Sequence, residues 1–231
     1  MRKMHETSSL DSTDEVSAFR GQTPSHEPPP KGVTTALQPV DDSAIPHDTI
    51  EQVISRRGST RQFSRESITL PQLSTLLERS TRGIPIDFLD SAGSHLNDLY
   101  LIVNNVEGLA AGAYVYHWNK KILELLKAGD FRQKAGYLGL EQQLPADAAA
   151  DIFFLADLKK ILERYGNRGY RATQLEAGIL GGKFYLAAYA QGLGATGLTF
   201  YDDDVVSFFS PHARGKSAIF LVALGRSARS K

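Results

Sequence analysis

The chain has 231 residues, 42% of them hydrophobic, with 26 basic and 26 acidic side chains and no cysteine. A net charge of zero argues against bulk electrostatic binding to nucleic acid or an anionic membrane, and the missing thiols exclude disulfides, thiolate catalysis and Cys-ligated zinc or iron–sulfur centres. No apolar run approaches the ~20 residues needed to cross a bilayer, and the polar N-terminus carries no apolar signal-like segment, so a cytoplasmic protein is expected.

Residues 1–46 are polar and turn-rich, with Pro28-Pro29-Pro30 and Asp41-Asp42-Ser43, and read as a flexible leader before a single domain over 47–231. Asp48 or Thr49 caps a short helix carrying Ile50, Val53 and Ile54 on one face. That helix delivers Arg57-Gly58-Ser59-Thr60-Arg61-Gln62-Phe63. Guanidinium groups grip phosphate oxygens in bidentate fashion, a hydroxyl and nearby backbone N–H groups complete an anion cradle, and Gly58 allows close backbone approach. Taken alone, such a cluster also reads as solvated charge. Thr69, before Leu70-Pro71, starts a second helix whose stripe is Leu70, Leu73, Leu76 and Leu77.

Leu99–Val106 and Ala113–Trp118 read as paired strands, while Asp151–Ala156 and Ala218–Leu224 are apolar runs too short for helices and suited to buried central strands. Between the latter two lies a helix from Tyr170 to about Gln191, closed by Gly192-Leu193-Gly194, in which Ala177, Gly178, Gly181 and Gly182 permit close approach of another helix or a flat ligand. The fold expected is α+β, a mainly antiparallel central sheet flanked by helices. Gly181-Gly182-Lys183 fails as a nucleotide loop, because Ala177 stands where the first glycine belongs and Phe184 where Ser or Thr does. Asp202-Asp203-Asp204 reads as a solvated turn with Asp204 as a helix cap, and the six histidines show no ligand spacing, so no metal site is assigned. His95 and His117 read as structural or exposed, with His95 a candidate for the substrate side.

Several ordered islands carry a resemblance. Arg57–Phe63 resembles the opening phosphate motif of the nitroreductase-like flavoproteins, and Ser91-Ala92-Gly93 their P-S-A-G element, with Asp90 in the proline position. Gly108-Leu109 and Gly112–Tyr116 resemble the E-G-L-x-x-G-x-Y-x-Y hairpin. Arg164–Arg171 with Glu176-Ala177-Gly178 resembles K-Y-G-x-R-G-Y-R and E-A-G, and Gly192-Leu193-Gly194 and Gly225-Arg226 resemble the closing elements. The set is similar to the azoline-dehydrogenase (SagB/ThcOx-type) branch of that superfamily, from about Ile45 to Arg226.

This resemblance implies an oxidoreductase that holds FMN without a covalent bond at the interface of an intertwined homodimer, with NAD(P)H as a possible donor. Arg57, Ser59, Arg61 and Arg226 would neutralise the phosphate and anchor the ribityl chain, with Gly58 and Gly225 beside them. Ser91, Ala92 and Gly93 would lie near the ring, from the second subunit, and Gly194, Ala195 and Thr196 would present backbone donors to it. Three departures matter: Arg164 replaces the usual Lys, Ile179–Lys183 replaces H-x-x-Q-N, and Leu96-Asn97 replaces H-P. Arginine does not act as a base. Tyr165, with Arg164 as its charged neighbour, is therefore the group expected to carry substrate chemistry, and Lys183 a substitute flavin contact. The function expected is hydride transfer between flavin and a small organic substrate. The alternatives are an azoline oxidase acting on a peptide-derived product, or a non-catalytic, flavin-poor partner subunit.

Overall fold

In the computed structural model, which describes residues 2–20, 29–86, 88–89 and 95–228, the elements run α1 (Arg2–Glu6), α2 (Thr13–Phe19), β1 (Thr34–Ala36), a 3-10 turn (Asp42–Ala44), α3 (Ile50–Arg56), β2 (Ile68–Thr69) and α4 (Leu70–Ser80). They continue through β3 (Asp98–Val103), β4 (Val106–Glu107), β5 (Gly112–His117), β6 (Ile122–Ala128), α5 (Arg132–Leu138), α6 (Gln143–Asp147) and β7 (Ala150–Ala156). The chain closes with α7 (Leu158–Tyr165), α8 (Arg168–Ala190), β8 (Gly194–Leu198), α9 (Asp202–Phe209) and β9 (Ser217–Gly225). Seven strands form one antiparallel sheet in the order β1-β6-β5-β3-β7-β9-β8, and β2 and β4 form a separate parallel pair.

Successive side chains of a strand face opposite sides of a sheet, and here both sides are covered. Leu99, Leu101, Ile152 and Phe154 pack with Leu73, Leu76, Leu77, Leu180 and Phe184 of α4 and α8. Tyr100, Ile102, Phe153 and Leu221 pack on the other face with Ala135 and Leu138 of α5 and Val205 and Phe209 of α9. Burial on both faces is why these strands read as unbroken apolar runs. Each fully buried large side chain is worth roughly 1.5–3 kcal/mol, which makes this double layer the main source of stability.

The helix starts follow their capping residues. Thr49 and Thr69 accept hydrogen bonds from the N–H groups of Gln52 and Gln72, whose side chains reach back to the cap N–H. Asp204 does not cap α9. Tyr201 is the cap residue, and Asp202, Asp203 and Asp204 occupy the first turn, where their charges complement the helix dipole.

Part of the segment read as a leader carries regular structure and contacts to the domain. β1 pairs with β6 at the sheet edge, the N–H groups of Lys31 and Gly32 donate to the buried Glu124 carboxylate (2.8 and 2.7 Å), and Val40 N–H donates to Thr75. Period-2 patterning is nearly absent in a three-residue strand, so composition alone hid it. Of the apolar face expected on α3, only Val53 is buried, and Ile50 and Ile54 are each 53% exposed.

At the start of β3, burial opposes ionisation of Asp98, but a hydrogen bond from His95 and the Lys216 charge outweigh it and hold the carboxyl at about 2. A carboxyl depressed in the folded state adds stability above its ordinary value of 3.8 and loses it as pH falls towards 2. Allowing for the solvent that still reaches the carboxylate, the loss amounts to about 1–2 kcal/mol. Urea unfolding at pH 4 and pH 2 checks this: Asp98→Asn is expected to show a shallower decline than the parent, and identical declines would refute the assignment.

Candidate functional site

Leaving α3, the segment Arg57–Phe63 runs along the ends of β8 and β9. Thr60 N–H donates to the Ala195 carbonyl (2.9 Å), Ser64 N–H to the Arg226 carbonyl (3.0 Å) and Ala228 N–H to the Gln62 carbonyl (2.9 Å), while Phe63 bridges to Ser227. Thr60 and Phe63 point inward, so Ser59, Arg61 and Gln62 are left facing out. This lacing brings Ser59, Arg61 and Arg226 to one cleft of about 550 Å³, shared with Gln62, Tyr189 and Gly192. The close approach depends on Gly194: a Cβ there would collide with the Thr60 side chain. At the rim, Gly192 takes φ +67° with open space beyond it, a conformation that favours glycine and keeps the mouth clear.

The described lining of the cleft holds Arg56, Arg61 and Arg226 together with one acid, Glu66. Among the described residues, Arg57 and Arg61 have no carboxylate partner. Arg226 Nε donates to the Ser67 carbonyl (3.0 Å), and its nearest acid, Glu66, is 3.8 Å away and 70% exposed. Arg56, by contrast, is engaged by Asp48 (2.6 Å) and the Tyr189 carbonyl (3.1 Å), which ties α3 to α8. Arg57 stands over the Tyr185 ring, 5.6 Å from its centroid, and the Tyr185 hydroxyl lies 3.5 Å from Ser59 Oγ. Arg61, the partly engaged Arg226 and the Ser59 hydroxyl at the cleft, with Arg57 beside them, form a donor set for a phosphate-sized anion.

The Nitroreductase family profile matches residues 54–226, from the helix that precedes this cluster through Arg226. The chain belongs to the Nitroreductase family. A nitroreductase-like protein of Methanocaldococcus jannaschii is 26% identical over 166 residues, covering 68% of this chain and 81% of its relative. The crystal structure of a nitroreductase-like protein of Anabaena variabilis superposes with a TM-score of 0.74 at 30% identity, covering 84% of this chain and 42% of that one. The Escherichia coli microcin synthetase McbBCD complex with truncated pro-MccB17 shares the fold at a TM-score of 0.63 and 16% identity, over 96% of this chain and 84% of that one.

Nitroreductase family members bind FMN, with NAD(P)H as donor. The residues present fit its phosphate end, because the cleft offers Ser59, Arg61 and Arg226 and leaves the first arginine after α3 nearby. Gly194, Ala195 and Thr196 form β8 behind the cleft, with the Ala195 carbonyl occupied by Thr60, and it is Gly192 and Leu193 that reach the cleft itself. Gly225 pairs with Gly194 across the β8–β9 ladder. Ser91, Ala92 and Gly93 lie outside the described residues.

Three sequence expectations are not brought to this cleft. Lys183 Nζ donates to the Gly83 carbonyl (3.1 Å) and lines a separate groove with Ile50, Leu186 and Ala190; burial, then the Arg82 charge, lowers its pKa. Tyr165 is buried, and its hydroxyl donates to the Phe88 carbonyl (3.2 Å). Arg164 covers the Tyr165 ring with its guanidinium 5.7 Å from the centroid, and neither residue lines the cleft. Sequence reasoning missed Tyr185 and Tyr189, whose hydroxyls meet Ser59 and Thr60 (3.5 and 3.3 Å). Their i,i+4 spacing on a helix facing a hydroxyl-rich motif was the available signal.

Proposed function

We propose that this Nitroreductase family chain is an FMN-dependent oxidoreductase whose cofactor phosphate sits in the cleft of Ser59, Arg61 and Arg226. The observation that carries the reading is the convergence of Ser59, Arg61 and Arg226 on one cleft, with Arg61 lacking a carboxylate partner among the described residues and Arg226 only loosely paired with the exposed Glu66. When bound, FMN supplies hydride transfer to or from a small organic substrate, with NAD(P)H as electron donor in a reductase. Arg61 and Arg226 neutralise the phosphate, Ser59 holds the ribityl chain, and Arg57, supported on Tyr185, adds the third charge. The test is the visible absorption spectrum of the purified protein, with the released cofactor identified by chromatography. A yellow protein with near one FMN per chain supports the reading. A colourless protein that takes up no added FMN overturns it in favour of a flavin-poor partner subunit.

The reading includes a homodimer. Gly178 and Gly182 stand one turn apart on α8, each with open space where a Cβ would project, and Leu175 beside them is 53% exposed. A second copy of α8 fits that face at close range. Gly178→Leu with Gly182→Leu is expected to shift the protein from twice 25.3 kDa to 25.3 kDa in sedimentation. A double variant that sediments like the parent would count against α8 as the interface.

A second substrate reading, oxidation of an azoline ring in a peptide-derived product, is favoured by the likeness to the McbBCD complex. Arg164, where the branch has Lys, weighs against it. Arg164→Lys is expected to create or raise azoline oxidation, and no turnover in either form would dismiss it.

A further inference from the structure

The corner between α7 and α8 is covered by the chain's own N-terminus. Asn167 Nδ2 donates to the Thr7 carbonyl (3.4 Å), Arg168 Nη1 to the Ser8 carbonyl (3.0 Å) and Arg171 Nη1 to Ser8 Oγ (3.1 Å), and Ser8 is only 2% exposed. Further along, the Phe19 ring packs 5.3 Å from Tyr165 and 6.0 Å from Phe88, and the Arg168 guanidinium lies 5.2 Å from the Phe19 centroid. Two of the three polar contacts are to main-chain carbonyls, which any peptide offers. The side-chain-specific part is small: one hydroxyl and one aromatic ring.

α1 and α2 have five and seven residues, far below the ~12–15 at which an isolated helix is stable in water, and neither contains a buried residue. Their order therefore depends on docking. Among the described residues, Arg164, Arg168 and Arg171 have no carboxylate partner, so the corner stays basic even with the arm in place. We propose that this corner is a peptide-docking surface that residues 7–19 occupy in the free chain, and that a partner peptide displaces them. The peptide presents a hydroxyl residue and an aromatic side chain at a similar spacing, with acidic residues between. The arm itself carries Asp11, Asp14 and Glu15 in that interval. Displacement removes the Phe19 ring from Tyr165, whose hydroxyl keeps the Phe88 carbonyl. The inference holds whether or not the cleft binds flavin.

A fluorescein-labelled synthetic peptide of residues 2–20 serves as the probe, followed by anisotropy against the full-length protein. Phe19→Asp, which loosens the tethered arm, is expected to bind the probe at least tenfold more tightly than the parent, and adding Arg168→Ala and Arg171→Ala is expected to reverse that gain. Equal binding by parent and Phe19→Asp, or a gain that survives the arginine replacements, overturns the proposal. A second measurement is free of the Phe19 substitution: amide hydrogen exchange in α2 is expected to speed up at least tenfold in Arg168→Ala/Arg171→Ala relative to the parent. Unchanged exchange means the corner does not hold the arm and also overturns it.

Discussion

Replacing Arg57 and Arg61 together with alanine is expected to yield a folded protein that purifies without flavin. Both side chains are exposed and without carboxylate partners among the described residues, so the fold loses little; surface changes of this kind usually fall within about 0.5 kcal/mol. The anion they would hold loses much more. A hydrogen bond to a charged group is worth roughly 1.5–3 kcal/mol, so losing two costs about 3–6 kcal/mol of binding, or about two to four orders of magnitude in Kd. Titration of the apo variant with FMN, followed by flavin fluorescence, measures the difference directly. Wild-type affinity in the double variant would end the phosphate assignment. Arg226→Ala alone is expected to weaken binding by one to two orders of magnitude, because its guanidinium is partly engaged by the Ser67 carbonyl.

The second large effect is on stability. Glu176, on α8, accepts hydrogen bonds from Leu96 N–H (2.9 Å), Asn97 N–H (2.8 Å) and Asn97 Nδ2 (2.7 Å), and it is 1% exposed. Burial raises its pKa in spite of those donors, which shows how fully the carboxylate is removed from water. Glu176→Ala strands the buried N–H groups of Leu96 and Asn97 and removes one of the two acceptors of Asn97 Nδ2, which keeps the Thr173 carbonyl. Each stranded N–H costs about 1–3 kcal/mol unsatisfied, so a net destabilisation of about 4 kcal/mol is expected, lowering Tm by roughly 8–16 °C. Glu176→Gln retains one acceptor oxygen and should lose about half as much. Thermal unfolding of the two variants gives the comparison, and a Tm within 2 °C of the parent for Glu176→Ala would mean that the donors find other partners.

Much of the architecture was readable residue by residue. Thr69 with Leu70-Pro71, and Thr49 with Gln52, marked their helix starts because capping is a local matter of one hydroxyl and the next few N–H groups. The runs at Leu99, Asp151 and Ala218 marked central strands because both their faces are buried, and α8 was visible from Tyr170 to about Gln191. Shorter pieces were not legible. β1, β2, β4 and β8 have two to five residues, and their pairing partners are distant in sequence. The cluster of Arg57, Ser59 and Arg61 was legible as a charged, hydroxyl-bearing loop, but by itself it also read as solvated charge, and only the resemblance pointed to a phosphate. Tyr165 was named from a resemblance and Lys183 from a departure within it, and neither kind of reading reveals what a side chain contacts. Phe19 and Phe88 bury the first, and the Gly83 carbonyl holds the second.

Local chemistry therefore settled which residues could cap, alternate, turn or carry charge, because those properties act over a few residues of chain. Only the tertiary structure decided which of them meet. Arg61 and Arg226 share a cleft because Thr60 and Gln62 are laced to the ends of β8 and β9, and that lacing requires Gly194 to leave room for Thr60. The N-terminal arm lies on the α7–α8 corner because Asn167, Arg168 and Arg171 reach Thr7 and Ser8, contacts that span some 160 residues and leave no periodic trace in either partner.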